Sequence, residues 1–442
     1  MVGRRAGRRG SVFTGFVCKL ASMNTSLPDC CAGEGDPELL SVAAALERVN
    51  AQLNPIRGYE CVGLRESLGR ILAERVVSPF DVPGHVNSAI DGFAVRGADL
   101  PDEGEREFPV LGTAFAGKPF EGALQPGTSV RIMTGAVVPE GADTTVMQEH
   151  VEFDGRTVRI GVGHTPGQNV RAAGEDIARG SVVLAPGHRL MAAEMGLLAS
   201  LGIAEVRVYR RLRVAFFSTG DELRSAGETL DPGAIYDSNR YTIHGMLVRL
   251  GCELIDMGVV RDQPQAFQDA FLAAAEIADV IMTSGGASTG EADYVKETLD
   301  ALGSVGFWRI AMRPGRPLAF GRVRDAVFFG LPGNPVAVMA TFYQFCQPAL
   351  KRMMGERDAR PLPTLEAIST EALRKKVGRT ELYRAILARD ADGRLGVRPT
   401  GRPGSALLHT MSDANCFIIL PAARGPVAAG ETVEVQPFFG LV

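Results

Sequence analysis

Between residues 210 and 355 short apolar runs alternate with amphipathic stretches, and this alternation restricts the fold more than any other feature. Residues 213–217, 253–260, 279–283 and 327–329 read as strands. Ser238 reads as an N-cap, and behind it Ile243, Met246, Leu247 and Leu250 recur at helical spacing. Phe267, Phe271 and Leu272 mark a second helix and residues 291–302 a third. A last helix opens at Asn334-Pro335, with Val338, Phe342, Phe345 and Ala349 as its apolar face. Strands alternating with helices imply a doubly wound, mostly parallel α/β sheet covered on both faces. Ligands of such sheets bind beyond the carboxyl ends of the strands, so chemistry is expected in the loops there.

Three of those loops have unusual composition. Phe217-Ser-Thr-Gly-Asp-Glu-Leu follows the first strand and offers Ser218, Thr219, Asp221 and Glu222. Thr283-Ser-Gly-Gly-Ala-Ser-Thr-Gly-Glu-Ala-Asp follows the third. Gly285 and Gly286 let the backbone approach a ligand there, and Ser284, Ser288 and Thr289 can donate to phosphate oxygens. Gly330-Leu-Pro-Gly-Asn-Pro runs through Gly333, Asn334 and Pro335 into a helix N-terminus, whose free N–H groups favour anions. The same edge carries the acids Asp221, Glu222, Asp237, Asp262, Glu291 and Asp293. Each alone reads equally well as a helix cap or a solvated loop acid. Beside phosphate-binding loops, carboxylates also serve Mg²⁺, which takes one or two of them together with substrate phosphates. Arg313 and Arg316 flank a stiff Pro-Gly turn, next to Arg309, and guanidinium forks suit a tetrahedral oxyanion. The six histidines lack metal-ligand spacing, so catalysis would rest on a metal and on positioning.

The flanking sequence has other textures. Residues 38–75 read as helical, from Leu39 to Val49 and again around 64–72. Short apolar runs separated by Gly and Pro then indicate a β module up to about Gly174, and the tail from about 360 returns to strands and turns. A chain of 442 residues is long enough for several domains. The expected division is a leader at 1–37, domain I at 38–85 and 173–207, an inserted β domain II at 86–172, an α/β domain III at 208–357, and a C-terminal β-barrel-like domain IV at 358–442. The leader has four arginines and no acid before Asp29, which reads either as a transit peptide or as an unstructured extension ahead of Met23; the second is the expectation here. The net charge of −4 gives no support to a nucleic-acid partner. The absence of a 20-residue apolar run excludes a spanning helix. Seven cysteines without a CxxC pair indicate reduced thiols and a cytoplasmic protein.

The 283–294 loop, together with Met312-Arg-Pro-Gly-Arg-Pro and Gly330-Leu-Pro-Gly-Asn-Pro-Val, closely resembles the molybdopterin molybdenumtransferase (MoeA) family, which includes the gephyrin E domain. Asp81-Val-Pro-Gly-His-Val-Asn-Ser-Ala-Ile-Asp-Gly-Phe, Arg131-Ile-Met-Thr-Gly-Ala, Gly167-Gln-Asn-Val-Arg-Ala-Ala-Gly-Glu-Asp-Ile and Gly401-Arg-Pro-Gly-Ser extend the likeness, in order, from about residue 38 to the end. The resemblance implies a homodimeric transferase that binds adenylated molybdopterin with Mg²⁺ and molybdate. It would cleave the phosphoanhydride, release AMP and leave molybdenum on the dithiolene, with transient contact to the adenylyltransferase and to apo-molybdoenzymes. Matched motif by motif, it implies Glu222, Asp262, Ser288 and Asp293 as the metal and cleavage group, with Glu222, Asp262 and Asp293 as metal ligands. It also implies Asp91 and Thr134 as the contribution of the partner subunit, and Arg313, Arg316, Arg379 and Ser405 as the oxyanion site. Where the family often has Lys-Pro-Gly-Lys this chain has two arginines, and Ala337 stands where many members carry Ser. The alternatives are a molybdopterin adenylyltransferase, whose enzymes resemble the α/β part alone, and a gephyrin-like scaffold.

Overall fold

The computed structural model describes residues 39–285, 293–401 and 404–438, with residues 293–297 described by backbone alone. Its largest sheet runs in the order Leu39–Leu40, Gly303–Ile310, Pro317–Val323, Ala326–Leu331, Val280–Ser284, Arg213–Thr219 and Glu253–Val260. Val280–Ser284 and Ala326–Leu331 are buried along their whole length, as unbroken apolar strands must be when helices cover both faces. Side-chain alternation then feeds two cores. Val214 and Phe216 join Met282, Phe329, Ile243 and Leu247 on one face, while Ala215 and Phe217 join Ile281, Phe328, Phe267 and Phe271 on the other.

The sheet is mixed. Leu39–Leu40 runs parallel to Gly303–Ile310, and Arg213–Thr219 is parallel to both of its neighbours, as Val280–Ser284 is to Ala326–Leu331. Pro317–Val323 is antiparallel on both sides. Its hairpin to Ala326–Leu331 closes at Val323↔Ala326 through Arg324, which takes φ 53°, a left-handed conformation more usual for Gly or Asn. Nothing in the residue types at 324–325 announces that turn, so a simple strand–helix reading passes over the hairpin.

Helix starts and stops follow local chemistry. Asp237, not Ser238, is the N-cap of Ser238–Leu250: its carboxylate accepts from the Arg240 N–H at 3.1 Å, and Gly251 at φ 89° ends the helix. Asn334 takes the N-cap position of Pro335–Thr341 in an extended conformation, without a side-chain capping bond. That helix then passes through a π-helical turn, Phe342–Cys346, before continuing as Gln347–Met353. The extra residue brings Gln344 to Gln436, with Nε2 donating to Oε1 at 2.7 Å, and stacks Tyr343 on Phe438.

The segment at 64–72 corrects the helical expectation. Leu64–Glu66 is one 3₁₀ turn, and Ile71 and Leu72 form β-bridges to Arg189 and Val208. Gly69, at φ 74°, breaks the periodicity, and Leu68 is exposed, so no continuous apolar face exists. The strand Tyr59–Gly63 before it pairs antiparallel with Glu205–Tyr209.

Residues 92–161 fold as a β sheet in the order Thr144–Met147, Gly92–Val95, Ser129–Ile132, Glu105–Ala114, Thr157–Gly161 and Val151–Phe153. After the α/β region, Thr380–Arg389, Leu395–Pro399, Leu365–Ser369, Thr432–Pro437 and Cys416–Leu420 pair in that order. Cys416–Leu420 pairs back onto Thr380–Arg389, which closes a five-stranded barrel. Met312–Arg313 pairs in parallel with the start of the first of those strands, opposite Thr380 and Glu381. Cys252, Cys346 and Cys416 are buried and unpaired, as small hydrophobes would be. No helix among the described residues is long and apolar enough to cross a membrane.

Candidate active site at the carboxyl edge of the sheet

Parallel neighbours bring the ends of their strands to one edge, so loops far apart in sequence meet there. Ser218 and Ser284 are register partners on adjacent strands. Gly285 donates its N–H to the Leu331 carbonyl at 3.2 Å, which ties the second loop to the third. The position tolerates only glycine: φ is 95°, and a Cβ would fall 2.6 Å from Thr219 Oγ1. Asn239 completes the junction. Its Nδ2 donates to Ser284 Oγ and to the Gly333 carbonyl, both at 2.7 Å.

The first loop carries the acids. A Cβ at Gly220 would lie 2.5 Å from Glu222 Oε2, so this glycine makes room for that carboxylate. Asp221 Oδ1 accepts from the Asp262 N–H at 3.4 Å, which sets the Glu222 loop against the Asp262 turn. Among the described residues no group of three His, Cys, Asp or Glu is placed to hold a metal alone. Mg²⁺ asks for less, because substrate phosphates and water complete its shell. Asp293 begins the helix Asp293–Leu302, and its side chain, like Ser288 and Gly286, lies outside the described residues.

The Arg313-Pro-Gly-Arg turn closes the edge from the side of the barrel. Its Gly315 sits on the last helix, where a Cβ would fall 2.6 Å from Thr341 Oγ1. Arg313 pairs in register with Glu381, and the Arg316 carbonyl accepts from Ile310 at 2.7 Å. Arg379 donates Nε to Glu381 Oε1 at 3.1 Å. Ser405 reaches the third loop directly, its carbonyl accepting from the Val336 N–H at 3.1 Å. Of the four oxyanion candidates, Arg379 thus bonds Glu381, Arg313 is its register neighbour on the next strand, Arg316 lies on the Arg313 turn, and Ser405 is held at the Asn334-Pro335 helix start.

Groups that motif reading did not single out shape this corner. Lys375 Nζ donates to the Lys376 and Arg379 carbonyls at 2.7 and 2.6 Å, and burial pulls its pKa down. Tyr383 hydrogen-bonds Glu381 and the Arg374 carbonyl. Burial, then the Glu381 carboxylate, push its hydroxyl up to about 12, so it stays protonated. Asn239 did leave a signal in the sequence: with Ile243, Leu247 and Leu250 it occupies the apolar face of its helix. A polar amide on such a face requires specific partners.

Asp91 and Thr134 lie in the inserted β module and meet there. Asp91 Oδ1 accepts from both the Thr134 amide and its hydroxyl at 2.7 Å, and the Asp91 carbonyl accepts from Gln148. The Thr134 amide, then its hydroxyl, hold the Asp91 carboxyl below the usual range.

Three family models match the chain in order: the MoeA N-terminal region (domain I and II) over residues 40–202, a probable molybdopterin binding domain over 215–352, and the MoeA C-terminal region (domain IV) over 366–438. The molybdopterin molybdenumtransferase of Haemophilus influenzae is 44% identical over 91% of this chain and 100% of its own length. This chain belongs to the molybdopterin molybdenumtransferase family. The molybdopterin molybdenumtransferase of a Nostoc species is 35% identical over 90% of this chain and 93% of that protein. A solved structure of the molybdopterin biosynthesis MoeA protein of Pyrococcus horikoshii OT3 matches with a TM-score of 0.80 at 27% identity, over 90% of this chain and 100% of that one. The family architecture therefore accounts for the mixed α/β sheet and the closed C-terminal barrel.

Proposed function

We propose that the chain inserts molybdenum from molybdate into adenylated molybdopterin, cleaving the phosphoanhydride and releasing AMP. Membership of the family makes it a transferase of molybdenum cofactor biosynthesis. The observation that carries the finer reading is the convergence of three anion-suited loops, the second and third joined by the Gly285–Leu331 bond and by Asn239 and the first meeting them where Thr219 Oγ1 donates to the Ser284 carbonyl at 3.5 Å, with arginines from the barrel side beside them.

The Gly-rich backbone at 284–285 and the helix start at 334–335 would hold the phosphates, with Thr219 at the end of the neighbouring strand. Arg313, Arg316, Arg379 and Ser405 would hold molybdate, since fixed guanidinium forks match several oxygens at once. Glu222, Asp262 and Asp293 would hold Mg²⁺; the meeting of the Asp221 and Asp262 turns fits a cation that uses few protein carboxylates. When bound, Mg²⁺ supplies charge neutralisation at the anhydride oxygens. The protein's share is to fix both anions in reacting geometry, which by itself removes much of the entropic barrier. Ser288 is assigned to the cleavage group on motif match alone.

Asp91 and Thr134, which bond to each other, are assigned on motif match to the facing site of a homodimer. Transient exchange with the adenylyltransferase and with apo-molybdoenzymes belongs to the same reading. The deciding experiment is single-turnover release of AMP from adenylated molybdopterin, with and without Mg²⁺ and molybdate. Release that needs both, with molybdenum on the pterin, is the expected result. Tight binding without release would replace this reading with a carrier or scaffold.

A further inference from the structure

Among the described residues, three oxygen atoms in this corner are buried and lack a hydrogen-bond partner: Ser218 Oγ, Asp237 Oδ2 and Asn239 Oδ1. Strand register and hydrogen bonds fix the residues that carry them. Ser218 is the register partner of Ser284, and Ser284 Oγ accepts from Asn239 Nδ2. The Asn239 amide cannot be turned round, because the Gly333 carbonyl at 2.7 Å can only accept and must face the NH₂ group. Its Oδ1 is therefore the atom left over. Asp237, two residues earlier, uses Oδ1 as the helix cap and donates its own N–H to the Arg224 carbonyl, just beyond Glu222. Asp237 and Asn239 are 3% and 8% exposed, and Ser218 is fully buried.

Buried polar groups are normally paired, and three orphans in one corner of a binding edge call for an explanation. Two of the three can only accept. Phosphate and molybdate also accept, so neither satisfies them, and the Asp237 carboxylate repels both. A neutral group that presents N–H donors satisfies all three without bringing a second anion to the carboxylate. We propose that Asp237, Asn239 and Ser218 form an acceptor face that binds the donor edge of the pterin ring, the ring N–H and the exocyclic amino group of its aminopyrimidinone. Adenine offers only one exocyclic amino group and matches a paired acceptor face less well. This inference rests on the reading that the substrate carries a pterin. It gives the corner a division of labour: glycine-rich loops and arginines take the anions, and the start of the helix Ser238–Leu250 takes the heterocycle.

Asp237→Asn separates this role from capping. Asn caps helices as well as Asp, so its oxygen keeps the Arg240 N–H and the melting temperature stays as in the parent protein. The second oxygen becomes an NH₂ group facing the ligand's donors. Dissociation constants measured by calorimetry for molybdopterin and for adenylated molybdopterin are expected to rise about tenfold or more, with AMP alone unaffected. Ser218→Ala is expected to weaken both pterin ligands several-fold while leaving the melting temperature equal or higher, since it removes an unpaired hydroxyl. Pterin affinity equal to the parent's in Asp237→Asn overturns the proposal. A parallel loss of AMP affinity and thermal stability also overturns it, by showing a structural role. If the parent protein binds AMP but neither pterin ligand, the functional reading falls first and this inference with it.

Discussion

One oxygen of Asp91 accepts two hydrogen bonds from a single residue 43 positions away, the amide and the hydroxyl of Thr134. Both bonds favour the charged carboxylate, so Asp91 is an anion at neutral pH and suited to accept protons or hydrogen bonds. Thr134→Val keeps the amide bond and removes the hydroxyl bond. The Asp91 carboxyl is then expected to titrate at higher pH than in the parent protein, as followed by carbonyl NMR; an unchanged midpoint would show that the hydroxyl contributes nothing. Motif matching could pair these two residues, but composition could not, because each alone reads as an ordinary turn residue. Asn239 is the opposite case. It stood in plain view on an apolar helix face, yet its two partners come from loops 45 and 94 residues away.

The edge of the α/β sheet opposite the site is anchored at Asp279, ahead of the strand Val280–Ser284. Arg210 donates to both carboxylate oxygens at 2.7 Å, and the Arg213 N–H adds a third bond at 2.9 Å. Burial alone would raise the Asp279 pKa, but the Arg210 fork and the Arg213 amide outweigh it and bring it down. A carboxyl lowered on folding contributes stability that is present above its unfolded pKa and is lost as pH falls through the folded value. The contribution is therefore complete at pH 7 and declines below about pH 4, where an unfolded aspartate takes up its proton. Asp279→Ala leaves a half-buried guanidinium without its main partner and is expected to cost about 3 kcal/mol in urea unfolding at pH 7. The same substitution should cost much less when measured at pH 3. Equal losses at both pH values would show that packing, not the ion pair, holds the strand start. Among the elements, strands with unbroken apolar runs and the Asn334-Pro335 helix start were legible from local chemistry. The hairpin at Arg324, the π turn at Phe342–Cys346 and the 64–72 segment were not, because tertiary packing selects each against its local preference.

For the whole molecule, assignment of Asp91 and Asp262 to opposite subunits of one site predicts complementation. Asp91→Asn and Asp262→Asn should each abolish insertion alone. Mixed after dissociation and reassociation, half the dimers carry one intact site of two, so about a quarter of parent activity should return. No recovery in verified mixed dimers would place both residues in one subunit's site. Barrel and α/β region are already coupled within the chain: the buried Gln344–Gln436 bond and the Val336–Ser405 bond join them along the helix that begins at Pro335. The sequence by itself determined the α/β class, the order of textures and the residue types at the site, because each depends on periodicity and on chemistry within a few neighbours. Only the tertiary structure decided which loops touch. It closed the barrel, reversed Pro317–Val323 within the sheet and seated Asn239 between Ser284 and Gly333. Those outcomes depend on satisfying buried polar groups across long separations in the chain, and no local pattern encodes the partner on the far side.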